Sequence, residues 1–173
     1  MQVRAARPTD ILGIAEVHVR SWQETYVGQV PQDYLDTLSV EDRYERWQEL
    51  VADIEWPALD LLVLVDDEDG VVGFASTSAS RDPDATGSTG EVQAIYTRAK
   101  VWGRGWGRAL MGAAVARLRG SGFAEARLWV LDSNDRARRF YEAAGWRVDG
   151  ATKPHVIGGQ DVVEVRYRLH FGG

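Results

Sequence analysis

Ten residues constrain this chain more than any others: Val101-Trp102-Gly103-Arg104-Gly105-Trp106-Gly107-Arg108-Ala109-Leu110. Three glycines occupy alternate positions among two arginines. The apolar run Val92 to Tyr96 precedes them, and the helix-like segment Trp106 to Leu118 follows. The order is therefore strand, glycine-rich turn, helix. Such a turn exposes backbone N–H groups where the helix dipole is positive, which suits a phosphate. Glycine is needed because a Cβ would keep a diphosphate away from the backbone. Two familiar phosphate loops fail by register. G-x-G-x-x-G counted from Gly103 ends on Arg108, and counted from Gly105 it ends on Leu110. No G-K-[ST] triplet occurs anywhere. The alternative is a glycine-rich surface turn, which the following helix disfavours.

The chain's 173 residues suit one domain, 1–173, with a sizeable core. No apolar run approaches the roughly 20 residues of a membrane span, and no secretory leader is expected at Met1 to Ala5. With no cysteine there is no disulfide, no thiolate metal site and no acyl-cysteine intermediate. A cytoplasmic location fits these features. The net charge of -6 argues against nucleic acid as the main partner and favours a cationic amine.

Read in order, Gln2 to Ala6 is a first strand. Thr9 or Asp10 is expected to cap a helix whose buried face carries Ile11, Ile14, Ala15, His18 and Trp22. His18 there reads as a packed residue. Trp22, Tyr26 and Tyr34 are candidate walls of an acceptor pocket, with simple helix packing as the alternative. Ser39 to Asp42 has the form of a capping box, followed by the stripe Val40, Tyr44, Trp47 and Val51. Leu61 to Val65 and Val71 to Ser80 read as a hairpin around the acidic turn 66–70. That turn lacks the ligand spacing of a calcium loop. The polar segment Arg81 to Gly90 reads as a loop at a site mouth or a mobile one. Glu91 to Thr97 is the central strand. Alternation would set Glu91, Gln93 and Ile95 on one face, with Val92 and Ala94 on the other. Ala126 to Leu131 follows as a strand. A helix opens at Asn134 and stops at Gly145, and the closing strands are Trp146 to Val148 and Val162 to Leu169. Gly158-Gly159 reads as a hairpin turn. Apolar alternation through Val162, Val163, Val165, Tyr167, Leu169 and Phe171 is compatible with a homodimer. The whole reads as an α/β domain, a mixed sheet with helices on both faces.

Asn134-Asp135-Arg136-Ala137-Arg138-Arg139-Phe140-Tyr141-Glu142-Ala143-Ala144-Gly145-Trp146 resembles the N-x-x-A-x-x-F/Y-Y-x-x-x-G-F/W signature of the GNAT acetyltransferases. The glycine turn resembles that family's Q/R-x-x-G-x-G/A segment, with Trp102 standing where Gln or Arg is usual. Together the two cover roughly residues 60 to 150. The resemblance implies a GNAT fold with a mixed, mostly antiparallel sheet of about seven strands. It also implies an enzyme, an acyltransferase that passes acetyl from acetyl-CoA as co-substrate directly to an amine, with no metal. It places acetyl-CoA against Ile95, Tyr96 and Thr97, where the strand is expected to splay. The phosphates would lie on Gly103, Arg104, Gly105, Trp106, Gly107 and Arg108, and Asn134 would sit nearby. Tyr141 would be the acid that protonates the departing thiolate, and Glu91 the base or its water relay. A primary amine of a small molecule (polyamine, amino acid or antibiotic type) is the expected acceptor. Acetylation of a protein or peptide N-terminus, or acetyl-CoA binding without turnover, are the alternatives.

Overall fold

A computed structural model describes residues 1–52, 59–68 and 70–172. Its strands are β1 (Gln2–Ala5), β2 (Asp60–Asp66), β3 (Gly70–Ala79), β4 (Thr89–Thr97), β5 (Glu125–Leu131), β6 (Arg147–Ile157) and β7 (Gln160–His170). Helices α1 (Ile11–Thr25), α2 (Gln32–Asp36) and α3 (Val40–Ala52) lie between β1 and β2. Helix α4 (Trp106–Gly120) follows β4, and α5 (Asp135–Ala143) follows β5. The seven strands form one sheet in the order β1-β2-β3-β4-β5-β7-β6. Every neighbouring pair is antiparallel except β4 and β5, which run parallel. The expected mixed, mostly antiparallel sheet of seven strands is therefore what forms.

Period-two alternation divides the sheet's apolar residues between its faces. Leu62, Ala75, Val92, Leu128, Val130, Val165 and Tyr167 pack beneath Leu110, Met111, Ala114 and Leu118 of α4, with Tyr141 of α5. Val63 and Phe74 pack on the other face against Ile11, Ile14 and Ala15 of α1 and Trp47 of α3. The core thus lies in two layers, one on each side of the sheet.

Several local expectations change. Asp10 does not cap α1. Its carboxylate turns back, accepting from the Arg7 N–H at 2.7 Å and from Arg4 at 2.6 and 2.9 Å. Pro8–Asp10 therefore closes a separate 3-10 turn before α1 begins. Ser39 Oγ does accept the Asp42 N–H, at 3.2 Å, and caps α3. Val51, expected in the α3 stripe, is exposed. In β4, Ser76 pairs with Ala94 and Thr77 with Val92, so Gln93 is an inserted residue. Bulges of this kind re-aim side chains beside functional sites. Here Val92 and Ile95 join the α4 layer while Ala94 and Tyr96 join the α1/α3 layer. Unbroken alternation through 91–95 is therefore wrong. The acidic turn is described except for Asp69, which lies outside the described residues.

Strand β6 runs to Ile157 instead of stopping at Val148. Pro154 hid it, yet β6 is the outer strand, where a missing N–H costs no ladder bond. The apolar residues of β7 are spent internally. Val165 and Tyr167 are buried, Leu169 and Phe171 pack beside them, and Val162 packs near Tyr26 and Leu35. Of that series Val163 alone is among the exposed large apolar residues.

The segment after Ser80, expected at a site mouth or mobile, is clamped. Arg127 of β5 reaches Asp84 at 2.7 Å, and Arg166 of β7 reaches Asp84 at 2.7 and 2.8 Å and Asp82 at 3.0 Å. Arg166 and Arg127 hold the Asp84 carboxyl well below the usual carboxylate range. Polar composition marked this segment as a loop. The two arginines that fix it come from strands far along the chain.

Candidate active site

The parallel pairing of β4 and β5 ends almost as soon as it starts. Thr89, Gly90 and Glu91 pair with Glu125, Ala126 and Arg127, and nothing pairs beyond them. The strands splay after Glu91, four residues before the expected point. The splay leaves one backbone edge of Val92–Thr97 open, because β3 takes only the other edge. A cavity of about 600 Å³ fills the wedge. Both strands line it, as do α1, the glycine turn, α5 and the β6–β7 hairpin.

On the α4/α5 side the walls include Gly103, Gly105, Gly107, Arg108, Asn134, Arg136, Phe140 and Tyr141. Gly105 has φ +83 and starts α4 without a side-chain cap, so the N–H groups of the first turn remain open. A Cβ built on Gly103 or Gly105 meets no atom within 4 Å. The turn is therefore an uncrowded cradle with a positive helix end beneath it, a fit for a diphosphate. Trp102 donates its indole N–H to the Thr97 carbonyl at 3.1 Å, and the Arg136 guanidinium lies 3.2 Å from its ring centre. Arg136 thus places a cation at the turn from α5, beside the position where Trp102 replaces a polar residue. Asn134 caps α5, accepting the Ala137 N–H at 3.1 Å.

Tyr141 lies 8% exposed at the centre, its ring 5.5 Å from Phe140 and 5.8 Å from Tyr167. Burial pushes its pKa up, helped by Tyr96 and Tyr167. Tyr26 and Tyr96 line the same cavity. Burial raises both, and the Tyr26 hydroxyl also feels Tyr96 and Tyr141. Three neutral phenols therefore face the wedge near neutral pH.

On the opposite side stand Trp22 of α1 and Tyr26 just after it, Glu91 and Gln93 of β4, Trp129 of β5, Lys153 and Ile157 of β6, and Glu164 of β7. Glu91 accepts from Ser80 Oγ at 3.0 Å, and Gln93 donates to Ser78 Oγ at 2.8 Å. Trp129 is held by its indole N–H, donated to Asp82 at 3.0 Å. Lys153 lies 4.3 Å from the Trp129 ring centre and 3.2 Å from Glu164. A roof of packed turns lies next to Trp22, Tyr26 and Ile157. Gly158 of the β6–β7 turn packs so tightly on α2 that a Cβ there would stand 2.5 Å from Tyr34 Cβ. Gln29 accepts from Ser133 Oγ at 3.1 Å and, through its carbonyl, from Gln160 at 3.5 Å.

Of the expected site residues, Glu91, Ile95, Tyr96, Thr97, Gly103, Gly105, Gly107, Arg108, Asn134, Tyr141, Trp22 and Tyr26 come together on the cavity wall. Three do not. Arg104 is an exposed turn residue outside the cavity wall, and Trp106 packs beside Leu64, Val72 and Val101. Tyr34 stands behind Trp22, ring centres 6.2 Å apart, and supports the roof. His18 is packed: it accepts the Trp47 indole N–H at 3.2 Å, stacks on Tyr96, and burial pushes its pKa down to about 3. Sequence reasoning missed Arg136, Trp129, Lys153 and Glu164. Glu164 carried a signal, a lone acid inside the apolar run Val162 to Val165.

The model of the Acetyltransferase (GNAT) family matches residues 14–146. The uncharacterized N-acetyltransferase YuaI of Bacillus subtilis is 34% identical over 141 residues, covering 82% of this chain and 77% of that protein. A probable N-acetyltransferase of Mycobacterium tuberculosis is 27% identical, covering 98% of this chain and 94% of its own length. The fold matches that of yncA, a putative acetyltransferase from Salmonella typhimurium solved with acetyl-CoA. The TM-score is 0.74 at 20% identity, covering 100% of this chain and 95% of the other. No helix among the described residues is long and apolar enough to cross a membrane.

Proposed function

This chain belongs to the GNAT acetyltransferase family and is an acetyl-CoA-dependent N-acetyltransferase, and we propose that it acts on a primary amine of a small molecule. One observation carries the choice of a small acceptor. The packing of Gly158 on Tyr34, with Gln29 bridging to Ser133 and Gln160, ties the β6–β7 turn to the segment after α1, next to Trp22, Tyr26 and Ile157, and bounds the wedge on that side. A peptide N-terminus needs an open groove along that side.

The residues present fit acetyl-CoA, which supplies the thioester acyl group. The open first turn of α4 and the cations Arg108 and Arg136 would hold the phosphates. The free edge of Val92–Thr97 offers backbone hydrogen bonds to an extended amide-bearing arm, and one N–H there can face the thioester carbonyl. On the other side, Glu91 and Glu164 attract an ammonium, and the faces of Trp22, Tyr26 and Trp129 pack its carbon skeleton. An alkylamine with pKa near 10.4 is free base in about one molecule in 2,500 at pH 7, a cost of about 4–5 kcal/mol. Glu91, at the apex of the splay, is the residue we assign to accept that proton, directly or through a water. Tyr141 holds the proton destined for sulfur.

A CoA-release assay against polyamines, amino acids, aminoglycosides and short peptides tests the reading. Release with one class of small amine supports it, and Glu91→Gln should then lower kcat. Turnover confined to peptides would overturn the small-acceptor assignment.

A further inference from the structure

Lysine is scarce in this chain. Against eighteen arginines there are two lysines, Lys100 and Lys153. Lys100 belongs to the short turn Ala99–Val101 and is absent from the cavity wall, whereas Lys153 is part of it. The Lys153 Nζ rests 4.3 Å from the Trp129 ring centre and 3.2 Å from Glu164 Oε2, and both of those residues line the same cavity. An aromatic face beside a carboxylate is how proteins hold an ammonium ion. The half of the wedge assigned to the acceptor therefore already contains the chain's own primary amine. The side chain is 44% exposed, and its strand is paired on one side only, so the flexible four-carbon stem is free to move within the cavity.

We propose that Lys153 is a self-acetylation site, an inference that rests on the acetyltransferase reading of the same cavity. The Lys153 ammonium passes a proton through the Glu164 carboxylate to solvent. The free amine then forms the N–C bond to the acyl carbon, the C–S bond breaks as Tyr141 protonates the departing sulfur, and the second proton of the acylated nitrogen returns to Tyr141. The balance is one ammonium and one thioester giving one amide, one thiol and one proton. The product is a neutral acetamide. It can keep neither the Glu164 ion pair nor the cation–π contact, and it occupies the space of the acceptor. Acetylated chains should therefore bind acceptor amines more weakly.

The test incubates the purified full chain with acetyl-CoA and no amine, followed by intact mass and peptide mapping. One acetyl group per chain is expected, mapped to Lys153, with Lys100 unlabelled. The rate should be independent of protein concentration, and about tenfold or more slower in Tyr141→Phe. Lys153→Arg should remain unlabelled, and the chain unfolded in denaturant should lose the preference for Lys153. Equal labelling of both lysines, or labelling indifferent to Tyr141→Phe, would identify solution chemistry and overturn the proposal. A rate rising with protein concentration would make a second copy the catalyst, which also overturns it. An unlabelled Lys153 in protein that turns over small amines overturns the inference alone. Failure of both reactions would take the small-amine reading with it.

Discussion

Replacing Tyr141 by Phe separates the chemistry from the architecture. Reference values place a tyrosine near 10 and a thiol near 8.5, so full proton transfer from phenol to thiolate is uphill by about 2 kcal/mol. Burial raises the Tyr141 pKa and makes that step steeper. Burial thus works against a phenol tuned down to match sulfur and favours a proton that moves as the C–S bond breaks. Removing the donor should lower kcat by about 10²–10³, or about 3–4 kcal/mol of transition-state stabilisation. The ring contacts to Phe140, Trp146 and Tyr167 need no hydroxyl, so the variant should melt within a few degrees of the parent. Its acetyl-CoA affinity by calorimetry should be unchanged. The raised pKa adds a signed expectation. The neutral phenol is the active form, so wild-type kcat should show no alkaline loss from Tyr141 below about pH 10. Parent-like CoA release by the Phe variant would refute the role. So would an alkaline limb below that pH that disappears in the variant.

Other substitutions probe other parts of the wedge. Gly105→Val forces a β-branched residue to φ +83, at about 1–2 kcal/mol, while its Cβ meets no atom within 4 Å. The protein should fold and lose roughly tenfold or more in acetyl-CoA affinity, read by calorimetry beside a melting curve. Gly158→Ala drives a Cβ to 2.5 Å from Tyr34 Cβ. It should displace the roof and raise KM for the amine while leaving acetyl-CoA binding intact, and steady-state kinetics in both substrates distinguish the two effects. His18, whose pKa falls to about 3 from 6.5, stabilises the fold above pH 6.5. That contribution, at most about 5 kcal/mol, is lost progressively as pH falls toward 3. An NMR titration of His18 with a midpoint near 6.5 would contradict this.

Legibility in the sequence followed the range of the interactions involved. The glycine turn, the Asn134 cap and the α4 stripe are each set by residues within a few positions of one another, and they form where the sequence places them. Tyr141 is similar, brought to the wedge by the helix that Asn134 starts. What could not be read depends on partners far apart in the chain. The clamp on the segment after Ser80 needs Arg127 and Arg166, 43 and 82 positions beyond Asp84. The Gln93 bulge depends on how β4 meets β3, and it reverses the facing expected for Ala94 relative to Val92.

The two halves of the cavity differ for the same reason. The half that we assign to acetyl-CoA is made from one continuous strand-turn-helix and the start of the next helix, and backbone N–H groups would do much of the binding. A local motif therefore carries it, and even the change at Trp102 is met by Arg136 from α5, stacked on that ring. The other half is assembled from single side chains on α1, β4, β5, β6 and β7, none within a motif of its own. Glu164 reaches the wall because β7 inserts between β5 and β6, an order that no local pattern announces. Lys153 reaches it because Pro154 is tolerated on an outer strand. On the proposed function, acceptor selectivity follows from the sheet order, and substitutions at Trp129, Lys153 and Glu164 should alter the choice of amine while the acetyl-CoA half keeps its affinity.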